Sequence, residues 1–233
     1  MTETFTDTAA VTAAPPRTAA VTAASALLAM AVLGLFGNAV VLTLTGDEAP
    51  DTLANVRAGE GTLRLAIVAF VFVAILDVVV AWALTRFFRT AQPGLATLAG
   101  WLRVAYAAAL VAAVGELATA TRLVSQPDPG GAANAIHGAL LDFGATWQLA
   151  LIVFSAHLAV LAFVVLRVAG TPSVLGVLLA LAAAGYAIDG IAHVLLPADS
   201  PIFAVLTPVI VVPAAVGELA LALWLLVRGG RSR

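Results

Sequence analysis

The chain contains no cysteine and no lysine. The first absence excludes disulfides and thiolate metal sites. The second leaves arginine as the only strongly basic residue, eleven in all. Charge is scarce altogether: charged residues make up 10% of the chain against 62% hydrophobic ones, and the formal net charge of −2 gives no basis for a nucleic-acid partner. There is no Ser-His-Asp arrangement, glycine-rich phosphate loop or HExxH zinc motif. What the chain does have is a series of apolar runs of about 20 residues, the length that crosses a bilayer. Its mean hydropathy of +1.08 is foreign to soluble domains.

The runs predict an all-α, polytopic membrane protein with a bundle of six transmembrane helices and a 3+3 inverted repeat. Residues 1–18, rich in Thr, Ala and Pro, lack the basic start of a signal peptide and read as a disordered tail. Six spans fill a domain over 19–229, at about 19–44, 63–88, 98–123, 139–167, 173–196 and 202–227. Residues 230–233 form a C-terminal tail. Gly46–Thr62 is acidic and carries Pro50, and it reads as a loop. Gln92-Pro93-Gly94, Ser125–Gly131, Gly170-Thr171-Pro172 and Pro197–Pro201 read as turns. An even number of spans puts both termini on one side. Arg17, Arg86, Arg89, Arg167, Arg228, Arg231 and Arg233 lie on that side, against Arg57, Arg64 and Arg122 on the other. The asymmetry predicts a multi-pass plasma-membrane protein with both termini cytoplasmic.

Two nearly identical strings stand out. AAVGELATA (Ala112–Ala120) and AAVGELALA (Ala214–Ala222) each place one carboxylate, Glu116 or Glu218, in an apolar span. A charge at mid-membrane costs at least ~2.5 kcal/mol, so each acid calls for a reason. Both strings close the third span of a half. With three spans per half, a duplicated half inserts upside down. Asp77 in span two and Asp189 in span five form a second candidate pair. Counted at ~1.5 Å per residue, Glu116 falls about 9 Å outward and Glu218 about 4 Å inward of the span centres.

By the same count Asp77, His157 and Glu218 lie within about 6 Å of the midplane on its inner side, on three different spans. Converging, they would bind a proton or a divalent cation, or hold zinc, iron or manganese. Arg103, slightly deeper in span three, offers the competing arrangement of buried pairs that serve only packing. Tyr186, Asp189 and His193 form one stripe on span five, within reach of Glu116, Asp142 and Thr146 in the outer half. His157 and His193 differ in depth by ~13 Å, which argues against a bis-histidine haem. Pro213, five residues before Glu218, frees the carbonyl of Val209 and predicts a kink in span six.

Three functions fit these residues. One is a small transporter or ion-coupled permease. The second is a metal-dependent intramembrane enzyme acting on a lipid through His157, Asp77 and Glu218. The third is a structural or regulatory membrane protein whose buried ion pairs fix helix packing. The expected partners are the lipid bilayer and, in the first two readings, a small ligand or cation.

FGATWQLALIVFSAHLAVLAFVVLR (Phe143–Arg167), Pro172, VLGVLLALAAAGYAID (Val174–Asp189) and GELALALWLLVRG (Gly217–Gly229) resemble a bacterial family of six-span membrane proteins, domain of unknown function 4386. Trp101-Leu-Arg103 with Tyr106 resembles its third-span pattern. The likeness covers most of residues 20–229. It departs where Val160-Leu-Ala-Phe follows the span-four histidine in place of Leu-Gly-Tyr-Leu, and where Arg228 replaces a lysine. The resemblance implies the six-span fold and marks Arg103, His157 and Glu218 as family-like polar positions, with Tyr106 a further candidate from the residues themselves. It implies no activity.

Overall fold

The computed structural model describes residues 16–124, 131–197 and 200–231, and for 206–208 and 211–213 the backbone alone. Among the described residues seven helices follow in order: α1 (Arg17–Leu44), α2 (Ala49–Ala58), α3 (Glu60–Phe88), α4 (Pro93–Val124), α5 (Ala132–Arg167), α6 (Ser173–Leu195) and α7 (Phe203–Val227). There is no strand among the described residues. Helices α1, α3, α4, α5 and α6 are each long and apolar enough to cross a membrane, and α7 carries a shorter described apolar stretch, Ala214–Val227. A helix satisfies its own backbone hydrogen bonds, which is why apolar runs of this length take no other form in lipid.

The six long helices overlap the six apolar runs, and their ends have local causes. Pro93 opens α4, where a missing N–H costs nothing. Gly170 adopts a φ of 84° between α5 and α6, a conformation glycine reaches without strain, and Pro172 caps α6. Pro213 lies inside α7, which runs as one helix over Phe203–Val227, while most of the Ser125–Gly131 turn and residues 1–15 of the expected tail fall outside the described residues. Of the three remaining tail residues, Pro16 is the N-cap of α1 and Arg17 and Thr18 begin the helix.

One reading is corrected. Gly46–Thr62 is not a loop throughout, because α2 occupies ten of its residues and α3 starts inside it at Glu60. Its polarity masked the helix. Pro50 sits in the first turn, Asp51 faces the positive N-terminal dipole and Arg57 the negative C-terminal one. Thr52 is fully buried and its hydroxyl lies 2.7 Å from Nδ1 of His137 on α5, fastening α2 across one end of the bundle.

The long helices form a closed ring in chain order. α1 packs on α3, α3 on α4, α4 on α5, α5 on α6, α6 on α7, and α7 back on α1. Arg17 makes the closure: its Nη1 donates to the carbonyls of Leu225 (2.9 Å) and Gly229 (2.8 Å), and its Nη2 donates to that of Leu226. Donors from the chain itself run out at this helix end, where the Gly229 N–H still reaches the Leu225 carbonyl at 3.2 Å, and a cation there also suits the helix dipole. The start of α1 and the end of α7 therefore share one end of the bundle. Arg86, Arg89 and Arg167 close helices at that same end.

Lipid provides little hydrophobic drive between helices, so close approach through small residues holds them together. A Cβ added at Gly176 of α6 would meet Leu166 Cγ at 2.5 Å and the Ala162 carbonyl oxygen at 3.2 Å. At Gly190 it would meet Ile152 Cγ1 at 2.6 Å and the Gln148 carbonyl oxygen at 3.1 Å. Aromatic side chains cluster on either side of the middle of the bundle. Phe70, Phe143 and Trp147 cluster toward the α2 end, and Phe87, Phe88 and Trp224 toward the termini.

Candidate functional site

On α4 the buried positions Ala96, Ala99, Arg103, Tyr106, Leu110, Ala113, Leu117 and Ala120 form one inward stripe at three- and four-residue spacing. Arg103 therefore stands where an apolar residue belongs, and it is 1% exposed. Asp77 occupies the inward stripe of α3 and is fully buried. His157 occupies that of α5 and is 1% exposed. Counted along their helices from the arginine-rich end, Arg103, His157, Asp77 and Glu218 lie about 14–17 Å in, half the thickness of a hydrocarbon core.

Arg103 is held between two partners. Its Nη2 lies 2.8 Å from Oδ1 of Asp77, and its Nη1 lies 3.1 Å from Nε2 of His157. Nδ1 of His157 is 2.8 Å from the carbonyl oxygen of Ala99. A carbonyl only accepts and a guanidinium only donates, so the imidazole carries its proton on Nδ1 and offers Nε2 as acceptor. The Asp77 contact is close but off-axis. Neither carboxylate oxygen of Asp77, and neither Nε nor Nη2 of Arg103, makes an aligned hydrogen bond among the described residues. The pair is thus held by charge more than by directed bonding.

Phe154 organises the rest. Its ring lies 5.2 Å from the Arg103 guanidinium carbon, stacks on His157 at 5.5 Å, and meets Tyr106 at 4.6 Å and Tyr186 at 5.8 Å. The Tyr106 hydroxyl accepts a 3.2 Å hydrogen bond from the Trp147 indole N–H. Glu218 comes from α7 and lies within electrostatic reach of Arg103, Asp77, Tyr106 and Tyr186. Glu218 is half-buried, and its side chain makes no hydrogen bond or ion pair among the described residues. Five helices thus contribute to one polar centre.

The other sequence candidates fall elsewhere. Glu116 is half-buried on a different face of α4, about 20 Å along that helix from Arg103, and does not join the centre. The two matching strings therefore place their acids in different surroundings. Asp189 is buried on α6 and within electrostatic reach of Tyr186. His193 donates from Nδ1 to the Asp189 carbonyl at 2.8 Å and stacks on Phe203. Asp142 is exposed and Thr146 half-buried. Among the described residues no three His, Asp or Glu side chains are grouped to hold a metal ion. Both nitrogens of His157 are already engaged, so it has no lone pair to offer a metal where it stands.

Sequence reasoning missed Phe154, Trp147 and the Ala99 carbonyl. The two aromatics had a signal: Trp147, Phe154 and Leu161 recur every seven residues, with His157 one turn beyond Phe154 on the same stripe. A backbone carbonyl leaves no trace in a sequence.

A closed ring of apolar helices around a buried Asp–Arg–His centre defines an integral membrane protein of the helical, multi-pass class. The chain belongs to the family described as domain of unknown function (DUF4386), whose model matches residues 22–229. No curated protein and no solved structure matches the chain.

Proposed function

We propose that this chain is a small proton- or cation-coupled transport protein of the plasma membrane, with Glu218 as the coupling group. The observation that carries this reading is the charge count of the centre. Asp77 and Arg103 cancel, and His157 is neutral by its hydrogen-bond partners. Glu218 is then the surplus charge, with no cation of its own. A low-dielectric site is stable only near neutrality, so Glu218 takes up a proton or a small cation, and its occupancy changes the field on Arg103. The off-axis Asp77–Arg103 contact leaves that guanidinium room to respond.

The unit that carries this activity is the domain over 19–229, inserted with its arginine-rich end and both termini in the cytoplasm. Three long helices in each half support an inverted 3+3 arrangement. Its partners are bilayer lipid and a small cation, with no nucleic acid. A second reading has its own observation. Arg103 is engaged on both sides in a buried core, as expected of a protein whose ion pair only fixes helix packing.

The test is proton uptake into phosphatidylcholine vesicles holding the full chain, under an imposed pH gradient, with sodium and potassium gradients as parallel arms. Wild type should carry one of these ions, and Glu218→Gln should abolish it while losing less than ~1.5 kcal/mol of stability, about one pKa unit of differential interaction. A wild type that carries none of the three, with Glu218→Gln lowering only the melting temperature, leaves the structural reading.

A further inference from the structure

The outer face of the ring carries a hollow between α5 and α6. Its volume is about 470 Å³, and its walls are Ala156, Ala159 and Ala162 on one side and Ala180, Ala184 and Ala187 on the other. The cause is local. Gly176 and Gly190 draw the two helices together at either end. Alanines between them reach too little to fill the outer seam. The hollow runs from Ser155, near the level of the polar centre, to Leu166 at the arginine-rich end. Eleven residues of helix make it about 16 Å long, the depth of one leaflet's hydrocarbon.

At the membrane-surface end stands Arg167, the last residue of α5. Its guanidinium carbon lies 3.9 Å from the centroid of the Phe163 ring, and Phe163 and Leu166 line the hollow. The cation is thereby held over the mouth and has no acid partner among the described residues. We propose that this seam is a specific site for an anionic phospholipid of the leaflet at the arginine-rich end. One acyl chain lies along the alanine walls and the phosphate pairs with Arg167. Charge complementarity selects the occupant: an acyl chain alone fits the apolar walls, and the guanidinium at headgroup depth favours a lipid with net negative charge.

The experiment uses the full chain in phosphatidylcholine nanodiscs containing a minor share of phosphatidylglycerol. Native mass spectrometry then counts the lipids retained after the disc is stripped. Wild type should keep one phosphatidylglycerol in preference to phosphatidylcholine. Arg167→Gln should lower that preference about fivefold, the effect of one basic residue near an anionic surface. Arg86→Gln, on α3 at the same end of the bundle, should leave it unchanged. Ala184→Leu, an exposed position that fills the hollow, should remove the retained lipid of either kind. Equal losses for Arg167→Gln and Arg86→Gln would mean diffuse surface charge and overturn the site. A wild type without preference, or an Ala184→Leu protein that keeps its lipid, would overturn it as well.

Discussion

Replacing Arg103 by leucine tests the centre most directly. The substitution leaves Asp77 fully buried without its counter-charge and leaves Nε2 of His157 without a donor. Removing one partner of a buried ion pair costs ~3–5 kcal/mol, because the survivor keeps its desolvation penalty. The off-axis geometry of the Asp77 contact places the expectation near the lower end, about 3 kcal/mol. For a chain of this size that is a fall of roughly 6–12 °C in melting temperature, at about 2–4 °C per kcal/mol. Asp77→Asn combined with Arg103→Leu removes both charges and should recover at least half of the loss. Thermal unfolding of wild type, single and double variants in one detergent reads all three numbers. A single variant that melts with wild type would mean that Arg103 swings out to the membrane surface and that Asp77 is neutral. A double variant no better than the single would mean that the cost comes from packing around Phe154, and the paired-charge reasoning would be wrong.

Two further outcomes follow from the ends of the bundle. Arg17→Ala removes three donated bonds to carbonyls at the end of α7 and just beyond it and should cost ~2 kcal/mol, with faster amide exchange over residues 225–229; unchanged exchange there would refute its clamping role. Because the chain has no cysteine, Arg57→Cys and Arg231→Cys each introduce the sole thiol. An impermeant maleimide applied to intact cells should label the first at once and the second only after permeabilisation, and the reverse pattern would invert the proposed orientation.

Much of this arrangement could be read from the residues because membranes simplify the code. A run such as Leu63–Phe88 has one stable form in lipid, so helix position follows from hydropathy alone. Asp77, Arg103, His157 and Glu218 were visible because each interrupts such a run, and counting residues placed them at similar depths. What the sequence does not carry is rotation about the helix axis. Glu116 and Glu218 sit in the same string, yet one faces away from the centre and the other toward it. α2 escaped notice because its helicity rests on first-turn and last-turn charges and on one buried threonine, not on an apolar run. The Arg17 clamp and the Ala99 acceptor are bonds to backbone atoms, which every residue type provides alike.

The closed ring sets a schedule for the chain's synthesis. Five of its six interfaces join helices that leave the ribosome one after another, and each can form as soon as its second member inserts. The sixth joins the first long helix to the last. Arg17 precedes its first carbonyl partner, Leu225, by 208 residues. At ~5–20 residues per second it waits roughly 10–40 s for that partner to be made. Throughout that interval the small-residue face of α1, with Ala19, Ala20, Ala23 and Ala24, which is buried in the finished ring, has no α7 to cover its end. A chain that stalls before α7 is an open arc with two unsealed flanks. Until α7 is in place the Arg17 guanidinium lacks its three carbonyl acceptors, so the clamp at the arginine-rich end is the last part of the ring to form.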